Sequence, residues 1–68
     1  MIAIVEKRRK IAEIDGNNIY VWEFFEVLSP KNVKKWCKER GFYVPVIMEE
    51  NFKTAIDHDY RIFYRMAQ

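Results

Sequence analysis

Residues 28–42 carry the signals for both ends of one helix, and that element divides the chain into two strand-rich flanks. Ser29 and Pro30 stand at the N-cap and first helical positions, where a hydroxyl can accept from an orphan amide and a missing N–H does no harm. Leu28 and Val33 occupy the two places of a hydrophobic staple. The spacing predicts a helix to about Arg40, stopped by Gly41 as the left-handed C′ residue, with Phe42 folding back on Cys37. At about 100° per residue, Val33, Trp36 and Cys37 share one face. Lys31, Lys34, Lys35 and Lys38 gather on the opposite one.

Ahead of the helix, residues 2–14 and 19–28 are rich in Ile, Val and aromatic side chains, and Asp15-Gly16-Asn17-Asn18 between them is turn chemistry. The expectation is a β-hairpin in which Ile14 faces Ile19. That register sets Lys10 against Glu23 and Lys7 against Glu26, two cross-strand pairs of opposite charge. The apolar pattern changes face near Lys7-Arg8-Arg9-Lys10, so the first strand either passes through that run or breaks there into two.

Beyond the helix, residues 43–48 read as a strand that Pro45 confines to an edge or a bulge. Residues 49–57 fit two patterns. Met48, Phe52 and Ile56 recur every four residues, as in a short helix, while Phe52, Thr54 and Ile56 alternate as in a strand; the helix is preferred. The last segment alternates, with Tyr60, Ile62, Tyr64 and Met66 on one face and Arg61, Phe63 and Arg65 on the other. The class this predicts is α+β: a small antiparallel β-sheet with a helix (about 30–40) packed on it and a second short helix (about 49–57).

Sixty-eight residues make a single small domain, 1–68, which buries a smaller share of its surface than a large one. A lone cysteine cannot form an intrachain disulfide, and Cys37 with His58 cannot complete a four-ligand zinc site. Packing, or packing together with a partner chain, must supply the stability, and eleven aromatic side chains fit that demand. At 32% charged residues with two glycines and two prolines, the composition is that of a folded domain. The apolar residues at the N-terminus precede the basic run, the reverse of a secretory signal, and no apolar run is long enough to span a bilayer. The expectation is a cytoplasmic location with no membrane partner.

No catalytic set emerges. Asp57-His58-Asp59 is the one cluster with ligand chemistry, but adjacent residues on a turn rarely converge on one metal. Cys37 lies on the apolar stripe rather than in an electropositive pocket. Ser29, the only serine, serves as a cap, and Glu49 and Glu50 splay apart. The chain is expected not to be an enzyme and to use no metal, cofactor or small-molecule substrate.

A binding role remains. The net charge of +2 averages nine basic and six acidic side chains in residues 1–40 with three and four in residues 41–68. The basic face Lys31, Lys34, Lys35 and Lys38 suits a phosphate backbone, and Lys7, Arg8, Arg9 and Lys10 would extend it. Arg61, Phe63 and Arg65 form a ring between two guanidiniums, a surface for stacking bases. These eleven residues are the candidate nucleic-acid site. The alternative is a protein–protein interaction module, an adaptor or inhibitor of the kind phages and mobile elements encode, or a homodimer using the aromatic surplus.

Overall fold

The computed structural model describes residues 1–67. Strand β1 (Ile2–Ile14) leads into β2 (Asn17–Leu28), then a 3₁₀ turn (Pro30–Asn32) and helix α1 (Val33–Glu39), followed by β3 (Thr54–Asp57) and β4 (Tyr60–Arg65). The four strands form one antiparallel sheet in the order β2-β1-β4-β3. Helix α1 packs on one face, giving the α+β class that the sequence predicts.

The first hairpin turns in two residues rather than four. Asp15 and Gly16 both take positive φ, 52° and 80°, as a tight two-residue hairpin turn requires. Asn17 and Asn18 therefore belong to β2. The expected register is corrected accordingly: Ile14 lies opposite Asn17, Lys10 opposite Tyr20, and Lys7 opposite Glu23. β1 does not break at its basic run. It continues through, and its change of face is absorbed by one extra residue, Ile11, between Lys10 and Ala12.

β4 pairs with β1 only from Ile2 to Lys7. Beyond that point β1 and β2 continue as a two-stranded ribbon, which helps to make the molecule long, at 43 × 29 × 17 Å. The core sits at the four-stranded end. Ala3, Val5, Ile62, Tyr64 and Ile56 from the sheet meet Val33, Trp36 and Cys37 from the helix, with Leu28, Phe42 and Tyr60 around them. Phe42, Trp36, Tyr60 and Phe25 form a chain of ring contacts along one side of this core, with centroids 4.9–5.7 Å apart.

The helix ends as its sequence directs. Gly41 has φ 71°, and the Phe42 and Gly41 amides donate to the Cys37 and Lys38 carbonyls at 2.9 and 3.2 Å, the paired bonds of a Schellman motif. Its start differs in detail: the Ser29 hydroxyl makes no capping bond, and the Ser29 carbonyl accepts from the Asn32 amide at 2.9 Å. Two later expectations are corrected. Residues 43–48 form no strand: Pro45 brings no amide, and the segment is tied down by single bonds such as Tyr43 N–H to the Ile56 carbonyl at 2.8 Å. Residues 49–57 form no helix either. Asn51 takes φ 63°, which breaks any helical run, and the alternation of Thr54 and Ile56 prevails because β3 can pair with β4.

Because the core is small, each of its side chains matters. Ile62→Ala should cost about 2–5 kcal/mol by urea denaturation. Val46→Ala, at a residue 90% exposed, should change stability by less than about 0.5 kcal/mol.

Candidate interaction surface

The side of the sheet away from the helix is open. It carries Ile2, Ile4, Glu6, Arg8 and Lys10 from β1, Tyr20, Trp22, Phe24 and Val27 from β2, and Arg61, Phe63 and Arg65 from β4, as the strand registers require. Alternation therefore divides the Lys7–Lys10 run: Arg8 and Lys10 point to the open face, Lys7 and Arg9 to the helix side.

Most of these cations already have partners. The Arg61 guanidinium lies 4.2 Å over the Trp22 ring and donates to Glu6 Oε1 at 2.8 Å. Lys53 stands 3.8 Å from the same oxygen and 5.2 Å over the Phe63 ring. Arg8 stacks 4.3 Å over Tyr20 and bridges to Asp59 at 3.2 Å. Lys10 pairs with Glu13 on the same face, and on the helix side Arg9 pairs with Glu23, each at 3.1 Å. Lys7 lies 5.8 Å over Tyr60. A guanidinium stacked on a ring and bonded to a carboxylate has spent the donors and the π-face that a nucleotide would use. Phe63 is only 8% exposed, so it offers no free ring for a base. Of the predicted trio, Arg65 alone is exposed and without an acidic partner among the described residues.

The helix lysines differ. Lys35 reaches Glu39 at 3.9 Å, but Lys31, Lys34 and Lys38 are exposed and have no carboxylate partner among the described residues. They stand on the helix side of the molecule, whereas Arg61, Phe63 and Arg65 stand on the open side. The eleven predicted residues thus do not converge on one surface.

The larger feature is apolar. Among the described residues, fifteen large hydrophobic side chains are exposed, against nine hydrophobic residues that are buried. The exposed ones fall mainly in two tracts. One is the ribbon with the outer strand: Ile11, Ile14, Ile19, Tyr20, Phe24 and Phe25. The other is the irregular crossing segment, with Tyr43 at 77%, Val46 at 90%, and Ile47, Met48 and Phe52 beside them. Sequence reasoning expected an aromatic surplus to face a partner but did not locate it. It also missed Glu6, whose role depends on β4 lying beside β1.

The groups with reactive chemistry stay apart. Cys37 is fully buried, and burial pushes its thiol above its ordinary range, with the Arg40 charge opposing. Burial, and then the nearby Cys37, raise the Tyr64 phenol as well. Asp57, His58 and Asp59 surround the β3–β4 turn, and Asp59 is engaged by Arg8. No group of three potential metal ligands occurs among the described residues. Nor is any helix among them long and apolar enough to cross a membrane. An open depression lined by Leu28, Asn32, Lys35, Trp36 and Glu39 lies beside the helix. Comparison with known proteins finds no family model, curated protein or solved structure that matches this chain.

Two outcomes follow from this geometry. Glu6→Gln should destabilise the fold by about 1–2 kcal/mol by denaturant titration, because Arg61 and Lys53 lose their shared anion. Raised thiol and phenol values mean the folded state keeps protons that the unfolded chain releases. Stability should therefore fall as pH climbs through the ordinary thiol and phenol range, and Cys37→Ala should make that alkaline loss smaller.

Proposed function

We propose that this chain is a small non-catalytic protein-interaction module whose contact surfaces are its two apolar tracts. The observation that carries this reading is the number of large hydrophobic side chains exposed among the described residues. Large exposed apolar side chains in this number on a small domain mark places where another protein docks, and exposed aromatics such as Phe24 and Tyr43 are the side chains that anchor such contacts. The pairing of most strand cations with carboxylates and rings supports the same choice. A surface built for phosphates keeps its cations free.

A second reading rests on one observation, the three helix lysines without acidic partners. Lys31, Lys34 and Lys38 would bind a nucleic-acid backbone non-specifically. Three neutralised phosphates give a slope of about −2.7 in log affinity against log salt for a duplex. Lys34→Glu with Lys38→Glu would abolish such binding.

The two readings separate in one experiment. A photoreactive phenylalanine analogue is placed at Phe24, and in a second protein at Tyr43, and each is irradiated in an extract of the source cells. The module reading predicts discrete adducts that proteases destroy, that nucleases and raised salt leave intact, and that at Tyr43 disappear on Val46→Asp. Absence of protein adducts at both positions overturns it, as do adducts that nuclease removes.

A further inference from the structure

β2 is the outermost strand of the sheet. Its twelve residues, at about 3.3 Å each, make an edge roughly 40 Å long, close to the 43 Å length of the whole molecule. Pairing with β1 leaves every second β2 amide and carbonyl pointing outward. Such edges are ordinarily blocked by lysine, proline, a bulge or brevity. The opposite edge obeys this, because β3 has four residues. β2 contains neither lysine nor proline, and its extra residue is Phe25, opposite Val5 and Glu6. Asn18–Phe24 is therefore a regular, unguarded run.

We propose that this edge pairs with the same edge of a second copy, joining two sheets into one continuous antiparallel sheet about a twofold axis at Val21. The inference rests on the protein-interaction reading and names the chain as its own partner at this surface. A twofold axis perpendicular to a sheet sets a strand antiparallel to itself and keeps every side chain on its own face, so one edge satisfies both copies. Val21 is the midpoint of the run. Centring there sets Tyr20 opposite Trp22 of the partner subunit on the open face, and Val21 opposite Val21 of the partner subunit on the helix side. Aromatic and β-branched pairs of this kind stabilise antiparallel sheets. The only charge in the run, Glu23, is held by Arg9 of its own chain and falls opposite Ile19 of the partner subunit, so no like charges meet.

The contact is modest. A paired stretch of seven residues, roughly 23 Å long, on a molecule 17 Å thick covers about 400 Å² per copy. The total of about 800 Å² falls below the usual lower bound of about 1,000 Å² for a stable specific interface. The dimer is therefore weak and concentration-dependent.

Analytical ultracentrifugation of the full chain over a concentration series, with residue-resolved amide exchange, tests this. The mass should rise from 8.3 kDa toward twice that value, with alternate β2 amides slowing as it does. Tyr20→Lys restores an edge guard and should weaken the dimer by about tenfold or more, while Tyr43→Lys should not. Circular dichroism checks that each variant is folded; if Tyr20→Lys is not, Phe24→Lys asks the same question. A mass of one chain at every concentration overturns the dimer, as does a dimer indifferent to a folded edge-lysine variant. A strict monomer whose Phe24 analogue captures a different protein removes the dimer and leaves the module reading standing; loss of protein adducts at both positions removes the module reading itself.

Discussion

β1 is flanked on both sides for half its length and on one side for the rest, and the other features of the molecule follow from that asymmetry. From Ile2 to Lys7 it lies between β2 and β4, under the helix, and there Ala3 and Val5 are fully buried. The Arg8 amide still donates to the Asp59 carbonyl at 2.7 Å, and from Arg9 onward β2 is its one neighbouring strand among the described residues. Two strands alone are marginally stable in water, and this ribbon has no layer above it. A chain of this length cannot cover a 13-residue strand with one two-turn helix, so the apolar residues beyond Lys7 stay outside.

The electrostatics of the open face follow the same division. At the four-stranded end β4 lies next to β1, which brings Arg61 to Glu6 and lets its guanidinium reach across to Trp22. Arg8, at the boundary, is gripped by Asp59 from the β3–β4 turn. These contacts fasten the base of the ribbon to the sheet. The same basic residues that suggest a phosphate surface when read in sequence are thus part of what joins the two halves of the molecule. Farther along, the ribbon offers Ile11, Ile14, Ile19 and Tyr20 to solvent, with a long strand edge beside them.

Local chemistry was legible in the sequence and long-range pairing was not. The helix end could be read because Gly41 and Phe42 act on carbonyls a few residues away. The two faces of the last strand could be read because alternation needs no partner to be visible. The hairpin register could not, since Asp15-Gly16 and Asn17-Asn18 are both turn pairs and only backbone geometry selects the first. For residues 49–57 the competing patterns were both present, and a bonding partner in β4 decided between them. The candidate site suffered most. Whether Arg61 is free depends on Glu6, 55 residues away in sequence, and whether Phe63 is open depends on a lysine lying across it.

Residue-resolved hydrogen exchange in dilute protein bears most directly on the division of the molecule into a supported end and an exposed ribbon. Amides of β1 from Ile2 to Lys7 and of β4 should exchange only through global unfolding. Those of the distal ribbon, Lys10–Ile14 and Asn17–Tyr20, should exchange through local opening and be markedly less protected. Equal protection throughout β1 and β2 in the monomer would contradict the account, because the ribbon would then need no partner to hold it.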